Sequence, residues 1–427
     1  MTDSALAGVF DGVRVLEVGQ YVAAPVAAEL LAHGGADVIK VEPVDGDVTR
    51  FTDPLPDVGD PSRADGRHYV IKARGKRAIP IDLGTDEGRA LAIRLAADSD
   101  VFITNMRPGG AERMGLGYDA LRADHPELIY GEISGFGDIG PNAGRPSIDI
   151  IAQAWTGLRA AGGIDDDGLP GYYEPFYCDY VAGLLLAFGI AGALRHREIT
   201  GEGQRVATSL AHAGLYVQHR SANLFESVDG WKHDLVEQRQ TGAPLADLHA
   251  IRGPRLSPHL YYMTTYSTAD GAVTVGAAGP LAPRFTDTFG VADPRRDPCW
   301  ADRDERGRLL DEATTAMAAV FAELTTDEAM RRLTQVGIPA TPIRLLEELL
   351  VDPDAHAAGL VYEATHPRVG TFTMPGAPLT MSGTDYSPKA TIAEFGEHTD
   401  EILHRLGYDP DTIERLIADG IVRRADP

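Results

Sequence analysis

Hydrophobic positions in the first third of the chain fall into short runs that alternate with stretches of helical spacing. Val13-Arg14-Val15-Leu16-Glu17-Val18 reads as a strand, and Pro25 to His33 as a helix with proline in its first turn, closed by Gly34-Gly35. The alternation continues through strand Asp37 to Glu42, strand Arg77 to Leu83, helix Glu87 to Asp98, strand Asp100 to Asn105, a short helix near Ala111 to Met114 and strand Leu128 to Ser134. This rhythm predicts an α/β domain, doubly wound around a largely parallel sheet. Such sheets bind ligands outside the carboxyl ends of their strands, so Gly19-Gln20-Tyr21-Val22-Ala23 and Thr104-Asn105-Met106-Arg107 fall where a site is expected.

Further along, Asp179 opens an uncharged helix expected over Val181 to Leu194, followed by a basic turn, Gly201, and a strand beginning near Arg205-Val206. From about Leu210 the alternation weakens. Gly230 to Pro258 mixes charge, glycine and proline without a period and reads as linker and loop. His259 to Val275 reads as a hairpin around Ala269-Asp270-Gly271. Helices are expected at Asp311 to Leu324 and Thr326 to Gln335, and a turn over Gly337 to Pro342 leads into Leu345 to Val351. A last one has Thr399 as N-cap and Gly407 as terminator.

Composition narrows the function. The length of 427 residues implies two or three domains, and the net charge of −24 argues against a nucleic-acid partner or an anionic membrane surface. A polyanionic ligand would need locally placed Arg and Lys. Two cysteines, Cys178 and Cys299, make no disulfide framework and fit a reducing cytosol, so a cytoplasmic protein is expected. Met1 to Phe10 lacks the basic and apolar regions of a signal peptide, and Val181 to Leu194 is too short to span a bilayer.

Two common nucleotide signatures are missing. The turn after the first strand lacks G-x-G-x-x-G, and Gly75-Lys76-Arg77 lacks both the upstream glycine, Val70 standing there, and the following Ser or Thr of a P-loop. Neither a dinucleotide nor ATP is expected. Asp165-Asp166-Asp167-Gly168 reads as a solvated turn rather than a metal loop, and no metal site is expected; Cys178 reads as a buried structural thiol. For Asp179 the plain alternative is a helix cap.

An ordered set of motifs changes the weight on Asp179. Gly12 to Glu17, Gly34-Gly35-Ala36-Asp37-Val38-Ile39-Lys40-Val41-Glu42, Arg74-Gly75-Lys76-Arg77, Asn105-Met106-Arg107-Pro108-Gly109, Arg113 to Tyr118, Gly135-Phe136-Gly137, Gly157, Asp179, Thr200 to Gln204 and Gly396-Glu397-His398-Thr399 together resemble the class III CoA-transferases and the related α-methylacyl-CoA racemases. The resemblance implies a Rossmann-like large domain made of residues 1–225 and 340–427, a smaller α+β domain of residues 226–339, and an interlocked homodimer. It also implies acyl-CoA and a free carboxylic acid as substrates, with no tightly bound cofactor. Asp179 would be the nucleophile and would stay ionised at the helix N-terminus. Gln20, with the amides of Val22 and Ala23, would hold the oxyanion. Val22, Ala23, Leu83, Asn105, Met106, Arg107, Arg113 and Asp149 match positions that hold CoA.

This sequence departs from the pattern in three places. Pro43 and Gly84 stand where basic contacts to phosphate are often found, and no Gly-rich loop lies between Thr241 and Pro280, which argues against formyl-CoA and oxalate as substrates. The racemases present a His before the Asp that matches Asp149; Ile148 is there instead. An alkyl chain carries no proton. Racemase and non-catalytic CoA-binding protein stand as the alternatives.

Overall fold

In the computed structural model, residues 6–55, 65–165, 167–171, 175–256, 260–366 and 368–425 are described. The chain divides into two compact units. One comprises Met1–Gly162, Gly171–Asn223 and Asp352–Pro427, and the other Gly163–Pro170 and Leu224–Val351.

The larger unit is built on six parallel strands: β1 (Arg14–Val18), β2 (Asp37–Pro43), β3 (Lys76–Ile81), β4 (Val101–Thr104), β5 (Ile129–Ser134) and β6 (Arg205–Ser209), in the order β3-β2-β1-β4-β5-β6. Leu16 lies beside Ile39 on one flank and Phe102 on the other. These strands are nearly continuous in Val, Ile and Leu because helices cover both faces. The strand order reverses between β1 and β4, and a crevice opens there at the carboxyl ends.

Two helices on one face fix the crevice. Helix α1 (Ala23–His33) follows β1 directly, and the Asp179 helix, Tyr177–Thr200, crosses it. The crossing needs Gly183, where a Cβ would sit 2.8 Å from the Ala23 carbonyl oxygen and 2.9 Å from Val26 Cγ1. The Asp179 helix is longer than expected: it begins at Tyr177, continues through the basic turn to Thr200 and stops at Gly201, which has φ of 79°. Its length and apolar character would suffice to cross a membrane, but Ala182, Leu186 and Ile190 are buried in the core with residues of α1, β4 and β5.

The smaller unit carries an antiparallel sheet of β7 (Met263–Ser267), β8 (Ala272–Gly276) and β9 (Ala340–Pro342), in the order β9-β8-β7. The hairpin turns at Ala269-Asp270-Gly271, as expected. Because β9 pairs with β8, the return to the larger unit comes at Asp352 rather than at residue 340. Its core is aromatic, with Tyr261, Tyr266, Phe285 and Phe321 fully buried.

Other expectations fail for physical reasons. Gly230 to Pro258 is not loop: Gly230–Gln240 and Leu245–Leu256 are helices. The first buries none of its residues, so no apolar stripe marks it. Residues 257–259 and Asp166 lie outside the described residues, while Asp165 and Asp167 are exposed in a turn. Thr399 is not the cap of its helix. His398 holds that place, and the Thr399 hydroxyl donates to the Arg423 carbonyl at 2.6 Å.

Candidate functional site

A cleft of about 1050 Å³ opens at the carboxyl ends of β1, β2, β3, β4 and β5, wholly within the larger unit. Gln20, Val22, Ala23, Leu83, Asn105, Met106, Arg107, Asp149 and Asp179 all line it. So do Pro43 and Gly84. Arg113 does not. Its helix, Gly110–Arg113, is a single turn, and side chains on a helix lean back toward the N-terminus, so the guanidinium lies over the Gly109 turn in solvent.

The loop after β1 is held from both sides. Asn105 Oδ1 accepts the Gln20 amide at 3.0 Å, and Asn105 Nδ2 donates to the Gln20 carbonyl at 2.8 Å. Asn105 thus braces this loop as well as lining the cleft. Gly19 is required by this closeness, since a Cβ there would stand 2.7 Å from Ala24 Cβ. Tyr21 takes φ of 65°, an uncommon left-handed conformation for a non-glycine residue, and turns the chain into α1. The amides at the start of α1 have no intrahelical partners and face the cleft with the positive end of the helix dipole.

Beneath this loop lies a buried ion cluster. Lys40 Nζ donates to the Gly19 carbonyl at 2.7 Å and to Glu17 at 3.0 Å, and it pairs with Asp47 at 2.9 Å. Lys76 Nζ donates to Glu17 and to the Pro25 carbonyl, both at 2.7 Å. Burial alone would raise the Glu17 carboxyl, yet the two lysines outweigh it and hold the group below its ordinary range. Two lysines of different strands therefore fix one carbonyl of the loop after β1 and one in the first turn of α1.

Asp179 sits in the first turn of its helix, whose N-cap, Phe176, makes no side-chain bond. Its own amide donates instead to Asp149 Oδ2, at 3.0 Å. Asp149 is 3% exposed, and its other oxygen accepts from Gln153 Nε2. Asp149, expected as a CoA contact, thus has both oxygens engaged with protein donors. The helix dipole does not keep Asp179 acidic as expected: burial first, then the Asp149 carboxylate, push its carboxyl up to about 7, with Lys72 opposing. Burial pulls Lys72 down to about 8, against the attraction of Glu29 and Asp179. Its ammonium donates to the His68 carbonyl at 3.0 Å. Cys178 is fully buried, its thiol raised to about 12 by burial and by Asp149 and Asp179, and it is inert.

Residues that sequence reasoning passed over also line the cleft: His68, Gln153, Phe176 and Arg145. The Arg145 guanidinium lies 5.4 Å from the Phe136 ring centroid and donates to Asn142. Ile148 is 58% exposed and lines the cleft beside Asp149.

Comparison with known proteins agrees with this geometry. The chain is 32% identical to succinyl-CoA:mesaconate CoA-transferase of Haloarcula marismortui over 95% of its length and 98% of the relative's. It is 31% identical to succinyl-CoA–D-citramalate CoA-transferase of Chloroflexus aurantiacus over 96% and 98% of the two chains. A crystal structure of Rv3272 from M. tuberculosis matches with a TM-score of 0.73 at 26% identity, covering 92% of this chain and 99% of that one. A CAIB/BAIF family protein from Brucella suis matches with a TM-score of 0.71 at 26% identity, over 94% and 100%. The profile of CoA-transferase family III spans residues 10–399, and with an open parallel sheet, a cleft at its switch point and an acid in the first turn of a long helix, this chain belongs to CoA-transferase family III.

Proposed function

We propose that the protein moves CoA from an acyl-CoA thioester to a free carboxylic acid through covalent intermediates on Asp179. The observation that carries this reading is the meeting of the Asp179 carboxylate with the start of α1 in one cleft. An Asp179 oxygen attacks the thioester carbonyl, giving an aspartyl-acyl anhydride and CoA thiolate. The thiolate then attacks the Asp179 carbonyl, which frees the acyl group as its carboxylate and leaves an aspartyl-CoA thioester. The acceptor carboxylate attacks that thioester to form a second anhydride, and the thiolate takes the new acyl group. Each step exchanges one activated carbonyl for another, so no ATP is required. Gln20 and the Val22 and Ala23 amides supply donors for the oxyanions. Leu83, Met106 and Arg107 line the part of the cleft where CoA would lie, with Arg107 for a phosphate. Arg89 donates to the Leu83 and Gly84 carbonyls and is the basic residue that we assign to the place left by Gly84.

The subunits form a homodimer in this reading. Tyr180, Leu184 and Phe188 recur every four residues on the Asp179 helix and are exposed, Phe188 by 81%. A tagged and an untagged preparation mixed for hours should give no hybrid dimers if the chains interlock.

The experiment is CoA exchange across a panel of acyl-CoAs and acids, read by mass spectrometry. Dicarboxylic acids come first, because succinyl-CoA appears in the names of the two relatives above. Borohydride or hydroxylamine should mark a peptide containing Asp179. In deuterated water the α-hydrogen of a 2-methylacyl-CoA should stay in place. Deuterium uptake as fast as CoA transfer would replace this reading with racemisation, with His68 as the second base, and CoA binding without any exchange would leave only a binding protein.

A further inference from the structure

The pair Asp149 and Gln153, one turn apart on the helix Asp149–Trp155, is built into the site in a way that the transfer chemistry above does not use. Gln153 is 2% exposed, and its single amide nitrogen serves two acceptors, the Asp149 carboxylate and the Pro175 carbonyl at 3.1 Å. Asp149 passes the constraint on, because its Oδ2 accepts the Asp179 amide. The segment Pro175 to Asp179 is therefore closed at both ends by one side-chain relay. We propose that Gln153 is a positioning residue for Asp179: through Asp149 it fixes the first turn of the Asp179 helix, and so the direction in which the Asp179 carboxylate meets the thioester. The inference rests on the nucleophile reading of Asp179.

Packing alone does not account for the relay. A buried carboxylate and amide are costly where an apolar pair of the same size would fill the space. Nor does the relay help Asp179 ionise, since a second negative charge beside it favours the protonated form. What remains is geometry. Phe176 offers no cap, and the Asp149 carboxylate takes the amide that a local cap would have taken. An amide at position 153 is what the geometry demands, because a Glu there would set a third carboxylate against Asp149. The charged and titratable groups around Asp179 are Asp149 from this helix, Lys72 from the helix Arg67–Lys72, Cys178 and Tyr180 on its own helix, and His68 lining the same cleft.

The test uses the full chain with Gln153→Met, which keeps the length and removes the donor, Gln153→Glu as a second variant of like volume, and Asp149→Asn. Both Gln153 variants should lose tenfold or more in kcat while KM for the acyl-CoA stays within twofold. Asp149→Asn should move the acid limb of kcat down by about one pH unit, as removal of a neighbouring negative charge requires. Amide hydrogen exchange at Asp179 should accelerate at least tenfold in Gln153→Met, a readout that needs no turnover. Wild-type kcat in both Gln153 variants, or an Asp179 amide in Gln153→Met as protected as in wild type, would each overturn the proposal. If the wild-type protein moves no CoA although the amide responds, the nucleophile reading has failed and the positioning role falls with it.

Discussion

The two units bury different things, and the contrast locates the chemistry. The smaller unit packs rings on rings: Phe321 stacks on Tyr266 at 4.7 Å and lies 4.7 Å from Phe289, while Asp293 is its one buried acid among the described residues, held by Tyr262 and Arg295. The larger unit has an equally apolar core on both faces of its sheet, but along β1 and β2, the start of β3 and the segment after β2 it buries Glu17, Lys40, Glu42, Asp47, Arg50 and Lys76. Buried charges are poor stabilisers relative to apolar residues of the same volume. Their presence under the Gly19–Ala24 turn is therefore a mark of position, since they hold carbonyls and a loop that a hydrophobic core would leave loose.

The largest expected difference between the units lies in turnover. Asp179→Asn should reduce CoA exchange by roughly a thousandfold or more while leaving CoA binding within a few-fold, as loss of a nucleophile does. Isothermal titration with CoA beside the exchange assay checks both halves. Retention of even a tenth of the turnover would move the nucleophile elsewhere.

Next come two substitutions of similar cost and unlike consequence. Glu17→Gln leaves Lys40 and Lys76 buried without their shared carboxylate and should cost about 3–5 kcal/mol. Phe321→Ala removes a fully buried ring from the smaller unit and should cost about the same, about 3–5 kcal/mol. Denaturant titration measures both. Per folded molecule, Phe321→Ala should keep kcat, whereas Glu17→Gln should lose roughly tenfold as the Lys40 and Lys76 ammoniums that hold the Gly19 and Pro25 carbonyls lose their shared anchor. Equal losses of kcat would remove the distinction between the two cores.

The response to pH sharpens the same contrast. Asp179 is raised to about 7, so it is protonated and unreactive below that value. The exchange rate should fall about tenfold per pH unit below about 7 and level off above it. A rate that is flat from pH 5.5 to 8 would mean that Lys72 outweighs burial and Asp149.

How much of this was legible in the sequence follows the same division. The parallel strands were readable because burial on both faces makes them continuous in apolar residues, and strand ends then located Gln20, Asn105 and Met106 without any knowledge of the site. The helix Gly230–Gln240 was not readable, since a helix with no buried residue has no stripe. Inside the site, Asp179 was singled out by its family pattern, but His68 in the cleft and Lys72, which opposes the rise of the Asp179 carboxyl, come from a helix more than a hundred positions earlier, and only the fold brings them near it. Asp149 and Arg113 were named as contacts with CoA. The first turned out to be engaged by Gln153 and by the Asp179 amide, the second to lie off the cleft, because side-chain direction and hydrogen-bond partners are not written in spacing.

The smallest expected effect tests whether the buried Asp293 of the smaller unit is structural. Tyr262 donates its hydroxyl to Asp293 Oδ1 at 2.6 Å, and Arg295 holds Oδ2 at 2.7 Å. Burial would raise the Asp293 carboxyl, but these bonds from Arg295 and Tyr262 prevail and hold it at about 2. A depressed carboxylate adds stability at pH values above its unfolded pKa of about 4, and that stability is lost as pH falls from about 4 through the folded value. Tyr262→Phe removes one of the bonds and leaves Arg295, so it should cost about 1–2 kcal/mol at neutral pH, near the range for a hydrogen bond to a charged group. Because one source of the depression is gone, the variant should lose less stability than wild type between pH 5 and pH 3. Turnover should not change. A larger loss of stability on acidification, or a fall in kcat, would mean that Asp293 answers to something beyond its own unit.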